Sequence, residues 1–158
     1  MSILVNSNFP TTQLSMISDG EISQVNSDEY LENKNIILVG VPGAFTPTCH
    51  ASHLPGYIDN IDAFISKGWE VVFIAVNDPF VMKEWSKASS AKNINMIADG
   101  NCDLTTQLDL KMDGSSFGLG NRCMRFAMLI KNRVISSLDV EEGGALDVSS
   151  AETQLAKL

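Results

Sequence analysis

A chain of 158 residues, 44% of them hydrophobic, has the size of one ordinary domain, 1–158, and enough apolar matter to bury a core. Its formal net charge of -8 excludes the basic face that a nucleic-acid partner needs. It has no run of roughly 18 apolar residues, so no membrane span is expected.

Residues 1–6 lack a basic segment followed by an apolar core, so a signal peptide is not expected. The first structural signals are the apolar segments 14–17 and 21–25, which predict a hairpin across Asp19-Gly20. Ser27 is a candidate N-cap for one or two helical turns over 28–31. Residues 36–41 read as a buried strand. The chain then turns through Pro42, Gly43 and Pro47 into a helix. Ile58, Ile61, Phe64 and Ile65 share one helical face, and Lys67-Gly68 ends it.

Residues 70–76 are apolar and β-branched without alternation, which predicts a strand covered on both faces. Residues 77–79 cap a helix running to about 89 and carrying Phe80, Val81, Trp85 and Ala88. A short strand at 94–98, a turn at 99–101 and a short helix to 108 follow. Residues 111–121 read as a glycine- and serine-rich loop. Residues 125–131 and 134–140 form a second hairpin, and a helix capped by Ser149 or Ser150 runs to 158. The order hairpin, three βα units, hairpin and helix predicts a three-layer α/β domain with a mixed sheet.

Three cysteines, at 49, 102 and 123, are too few and too uneven for a disulfide framework. They favour a reducing compartment, and hence a cytoplasmic location. No CxxC pair is present, and the two histidines and three cysteines match no usual zinc-ligand spacing, so no metal site is expected. Cys49 stands apart. It follows a strand and a tight turn at the start of a helix, where unpaired N–H groups and the positive end of the helix dipole favour thiolate over thiol.

The segment VPGAFTPTC at 41–49, with HLPGY at 53–57, VNDPF at 76–80, and GLGNR at 118–122 ahead of Arg125-Phe126-Ala127, resembles the peroxiredoxins, and within them the type-five subfamily, called type II in plants. The likeness runs from about residue 9 to the end. It implies a thioredoxin-like fold: a central mixed β-sheet flanked by helices, with an N-terminal β-hairpin extension. It also implies a thiol peroxidase acting on hydrogen peroxide and alkyl hydroperoxides in antioxidant defence. The resemblance further implies no bound cofactor, an external thiol reductant, and a homodimer whose subunit contact would include Phe45 and Phe80.

The residues fit that chemistry. A peroxide bond breaks when a thiolate attacks one oxygen in line, so the site must hold sulfur ionised, orient two oxygens and stabilise the departing one. Cys49 is the attacking group. Arg125 stands where the resemblance puts the site arginine; its fork can bond sulfur and peroxide together. Arg122, three residues earlier, would face the opposite side of an extended segment and is expected to be a structural ion-pair partner. Thr46 can accept from the peroxide while donating elsewhere. Pro42 shields the thiolate. The resemblance adds the backbone N–H groups of Thr48 and Cys49, and Leu119 at the substrate mouth. His53 shares a helical face with Cys49. A Cys–His ion pair competes there with a tie to neighbouring backbone, and the tie is favoured because an arginine already supplies the charge. His50 points elsewhere, toward the pocket rim or a docked reductant. Trp85 is read as packing.

Oxidation leaves a sulfenic acid that a second thiol must resolve. Residues 141–158 contain no cysteine. Cys123, two residues before Arg125, and Cys102, opening a helix, are the candidate resolving cysteines, each weighed against a plain packing role. The expected mechanism is one-Cys, with glutathione and glutaredoxin or thioredoxin as reductant. The rival readings are a redox sensor or holdase on the same fold, in which Cys49 oxidation signals, and a non-redox module with an inert Cys49.

Overall fold

The computed structural model describes residues 5–158. The signal-peptide reading rests largely on residues 1–4, which lie outside the described residues. Strands β1 (Gln13–Ser18) and β2 (Glu21–Asn26) form the expected hairpin. Asp19 and Gly20 both take positive φ, 50° and 77°, and so supply the primed turn whose twist matches the strands. Helix α1 (Ser27–Leu31) is capped by Asn26, not Ser27: the Asn26 side chain accepts from the Asp28 and Glu29 N–H groups. Ser27 is buried and donates to the Pro10 carbonyl at 2.7 Å.

Strand β3 (Asn35–Gly40) leads into the turn and a helix that starts at Pro47. That helix passes through a π-helical stretch, Cys49–His53, into α2 (Leu54–Asp59). The single apolar face expected over 58–65 is split. The helix breaks at Asn60, whose side chain donates back to the Gly56 carbonyl at 2.8 Å, and α3 (Ile61–Ser66) starts afresh. The break buries Ile61 and Phe64 but leaves Ile65 48% exposed. Next come β4 (Trp69–Ala75), α4 (Pro79–Ala88, capped by Asp78), β5 (Ile94–Ala98) and α5 (Asp103–Gln107). The stretch expected to be a loop contains a small ribbon, β6 (Lys111–Asp113) against β7 (Asn121–Cys123). The second hairpin, β8 (Phe126–Lys131) and β9 (Val134–Val140), and α6 (Ala151–Leu155) close the fold.

The main sheet has the order β2-β1-β5-β4-β3-β8-β9. Strands β3, β4 and β5 are parallel, while β1 and β8 join antiparallel, so the sheet is mixed as expected. Alternation along β3 and β4 feeds two cores. Ile37, Val39, Val71 and Phe73 pack on the face covered by Tyr57, Phe64 and Trp85. Ile36, Leu38, Val72 and Ile74 pack on the other, with Leu31, Leu104 and Leu108. No helix among the described residues is long and apolar enough to cross a membrane.

One glycine sets the approach of β8 to β3. Gly40 is paired with Phe126, and a Cβ at Gly40 would collide with the Phe126 ring. A Gly40→Ala protein is therefore expected to lose about 1–3 kcal/mol of stability through overpacking, read as a lower urea midpoint at unchanged m-value.

Candidate active site

The turn after β3 is tied down on every side. Val41 N–H donates to the Ile74 carbonyl at 3.0 Å, and Ala44 N–H to the Asn77 side chain at 2.9 Å. Phe45 takes φ 63°, an uncommon value for a bulky residue, and is 46% exposed. Thr46 Oγ1 donates to the Gly43 carbonyl at 2.7 Å, so its lone pairs remain for another donor. The helix then begins at Pro47, and Cys49, in its first turn, is fully buried. Within that turn the N–H groups of Thr48 and Cys49 have no preceding turn to donate to.

Arg125 reaches this turn through sheet register. Strand β8 runs antiparallel to β3 with Phe126 opposite Gly40, so the residue just before β8 arrives where β3 ends. Its guanidinium, 6% exposed, forks: Nη2 donates to Cys49 Sγ at 3.1 Å and Nη1 to His53 Nδ1 at 2.7 Å. Nε is buried without a partner among the described residues.

The partners assign the His53 tautomer. A guanidinium only donates, so Nδ1 accepts. Nε2 therefore carries the proton and donates to the Ser149 carbonyl at 2.9 Å. That carbonyl also accepts from Tyr57 Oη at 2.7 Å. Ser149 in turn is held by Glu141, which accepts from its N–H at 2.9 Å and its hydroxyl at 2.7 Å. Burial pushes the Glu141 carboxyl up, but the Ser149, Asp147 and Val148 hydrogen bonds outweigh it and hold the group below its usual range. The chain Glu141, Ser149, His53, Arg125, Cys49 thus runs from the C-terminal loop to the sulfur.

His53 is a neutral strut, not the cationic half of an ion pair. Burial lowers its pKa from the ordinary 6.5 to about 4, the Ser149 hydrogen bond opposing and the Arg125 charge adding to the effect. The unfolded chain takes up this proton near pH 6.5, while the folded protein refuses it until about pH 4. The contribution is complete above pH 6.5 and is lost as pH falls toward 4, by about 3 kcal/mol. Urea midpoints from pH 7 to pH 4 should show this slope in the natural protein and a shallower one in His53→Gln.

Other expected residues fall differently. The Arg122 guanidinium meets carbonyls, not a carboxylate: Nε donates to Leu119 at 2.8 Å and Nη1 to Val76 at 3.3 Å. It is therefore a brace between loops and not the ion-pair partner expected. Cys123 lies in the core on the sheet face opposite to Cys49, and burial pushes its thiol well up. Cys102 precedes α5 with φ 62° and is half-buried. Leu119 is half-buried, packed close to Gly114. Trp85 packs edge-on against Phe73, as expected of a core residue, but its Nε1 also donates to His50 Nδ1 at 3.0 Å. From sequence, Asn77 and Ser149 read only as helix-capping candidates, and Glu141 and Tyr57 carry no assigned role. Their only signal was a polar side chain in an otherwise apolar or turn-forming neighbourhood.

Among the described residues no group of three or more His, Cys, Asp or Glu side chains is placed to hold a metal ion. A thiol at a helix start, gripped by a buried arginine that a neutral histidine orients, is suited to nucleophilic attack on a small electrophile.

Comparison with known proteins agrees with that chemistry. The redoxin family profile matches residues 4–155. The chain is 42% identical to peroxiredoxin-2D of Arabidopsis thaliana over 160 aligned positions, covering 94% of this chain and 99% of that one. The reduced Prx3 of Vibrio vulnificus, solved in complex with hydrogen peroxide, superposes with a TM-score of 0.92 at 41% identity, over 99% of both chains. The Plasmodium falciparum antioxidant protein, described as a 1-Cys peroxiredoxin, superposes with a TM-score of 0.90 at 29% identity, over 96% of both chains. The fold is accordingly the thioredoxin-like one, and such enzymes need no prosthetic group. A redoxin match over nearly all of its length, and relatives of this identity and coverage, mean that the chain belongs to the peroxiredoxins of the redoxin family and is a thiol peroxidase.

Proposed function

We propose that Cys49 is the peroxidatic cysteine and that this protein reduces hydrogen peroxide and alkyl hydroperoxides by a one-Cys cycle. The observation that carries the reading is the 3.1 Å contact between Arg125 Nη2 and Cys49 Sγ. The thiolate attacks one peroxide oxygen; the S–O bond forms as O–O breaks, and the departing oxygen leaves as water or alcohol after taking a proton. Arg125 steadies the sulfur and meets the charge on the departing oxygen. Its unpartnered Nε–H offers a donor to bound peroxide, which would relieve the cost of a buried unsatisfied group. Thr46, its hydroxyl proton committed to Gly43, accepts from the peroxide. The Thr48 and Cys49 N–H groups hold the second oxygen, Pro42 screens the sulfur and Leu119 lines the approach. Because Cys49 has no exposed surface, peroxide enters through a small local movement and not by an open mouth.

An external thiol completes the cycle. Cys123 is buried in the core cluster that does not contain Cys49, which supports a one-Cys route, and the few, unevenly spaced cysteines fit a reducing, cytoplasmic setting. The 1-Cys description of the Plasmodium falciparum relative points the same way. Glutathione with glutaredoxin, or thioredoxin, is the reductant. The exposed Phe45 and Phe80, the latter 76% exposed, support a homodimer, checked by sedimentation of the natural protein against Phe80→Asp.

Stopped-flow oxidation by hydrogen peroxide, followed by reduction with glutathione and glutaredoxin or with thioredoxin, tests the reading. Sulfenate formation and repeated turnover are expected. Oxidation without turnover would favour a sensor, and a 49–102 or 49–123 disulfide by mass spectrometry would end the one-Cys assignment.

A further inference from the structure

Trp85 is fully buried, packed against Phe73 at a ring-centre distance of 6.2 Å. Its one polar group, the indole N–H, reaches outward and donates to His50 Nδ1 at 3.0 Å. An indole only donates, so His50 accepts there and carries its own proton on Nε2. His50 itself is exposed, follows Cys49 directly and belongs to the π-helical stretch Cys49–His53. Such a stretch is a locally widened turn and a recurrent feature of functional sites. The His50 ring lies 5.6 Å from that of Phe45, the residue at φ 63°. The Cys49 turn is therefore pinned on two sides: through His53 and Arg125 on one, and through His50 to α4 on the other.

The two halves of the cycle place different demands on this turn. A peroxide is attacked with Cys49 still gripped by Arg125. Reduction needs a thiolate to approach the Cys49 sulfur from behind its S–O bond. One S–S bond forms, the S–O bond breaks, and the hydroxyl leaves as water with one proton. A second thiolate then attacks the mixed disulfide, releasing the Cys49 thiolate and an oxidised disulfide. A carbon-bearing thiol is bulkier than peroxide, and Cys49 has no exposed surface, so the turn must open. Opening draws His50 away and breaks the part-buried hydrogen bond from the indole N–H.

We propose that the Trp85–His50 hydrogen bond is the latch that keeps the Cys49 turn closed, and that it sets the rate at which an external thiol reduces oxidised Cys49. The two are positioning residues, since neither touches the reacting atoms. The proposal rests on the one-Cys reading above, and its test separates the two. Each protein is oxidised with one equivalent of hydrogen peroxide in a stopped-flow instrument, and the sulfenate is then reduced with dithiothreitol, a probe too small to need a protein docking surface.

The first phase is expected to be unchanged in His50→Ala and Trp85→Phe. The second should quicken about tenfold in both, as one lost part-buried hydrogen bond implies. His50→Gln, whose amide oxygen can accept from the indole, should return to the natural rate. Under excess peroxide both latch-free variants should accumulate less sulfinic acid by mass spectrometry, because the sulfenate is removed sooner. His50 is exposed, so His50→Ala leaves no core cavity and tests the latch even if Trp85→Phe folds poorly. A natural rate of reduction in a folded Trp85→Phe protein would overturn the latch. So would acceleration confined to His50→Ala, which would mark an exposed rim effect. Failure of Cys49 to form a sulfenate at all, or formation of an intrachain disulfide, would instead sink the catalytic reading and this proposal with it.

Discussion

Arg125→Ala should slow peroxide attack on Cys49 by about 10²–10³-fold, equivalent to about 3–4 kcal/mol of transition-state stabilisation. The guanidinium is 6% exposed and makes two hydrogen bonds at once, to Cys49 Sγ and His53 Nδ1, so water cannot take its place without opening the site. Its removal leaves the buried sulfur facing a neutral imidazole, with no cation to meet the charge on the departing oxygen. Arg125→Lys should recover only part of the rate, because an ammonium is a point charge and cannot present a fork to sulfur and imidazole together. Stopped-flow rates with hydrogen peroxide check both. A natural rate in Arg125→Ala would refute the assignment, and Arg122 would be the arginine to examine next.

Cys49→Ser should keep the fold and lose peroxide turnover entirely. A hydroxyl is close in size to the thiol, but it stays protonated and cannot pass through a sulfenic acid. The partner experiment is the double variant Cys102→Ser/Cys123→Ser, which should retain turnover with an external thiol. Cys123 faces the opposite core, and its thiol, pushed up by burial, is a poor nucleophile. Full peroxidase activity in Cys49→Ser would end the mechanism, and loss of turnover in the double variant would restore a resolving cysteine.

These two substitutions sit at one end of a chain of contacts that explains why the acid stability described above belongs to the same site. His53 must remain neutral to accept from Arg125; burial keeps it so, and the Ser149 carbonyl, by accepting from Nε2–H, leaves Nδ1 as the acceptor. Protonation near pH 4 costs both the fold's preference for a neutral imidazole and the aim of the arginine. Activity and stability are therefore expected to fall together on the acid side.

Much of this was determined along the sequence itself. Strands at 13–26, 69–75 and 126–140 followed from apolar runs and the turn residues between them. Cys49 at a helix start followed from Pro42, Gly43 and Pro47 after an apolar strand. These are local properties, set by backbone sterics and by periods of two and 3.6 residues. The role of Arg125 came from resemblance, because spacing alone left it level with Arg122. Tertiary structure decided the rest. Pairing of Gly40 with Phe126 delivers Arg125 to a sulfur 76 residues earlier, and the separate ribbon of β6 and β7 places Cys123 in the other core. The same holds for Asn60 cutting a helix in two, Asn26 displacing Ser27 as cap, and Trp85 finding His50. In each case a polar side chain had several acceptors or donors within conceivable reach. Only the packed chain, by burying the alternatives, left one.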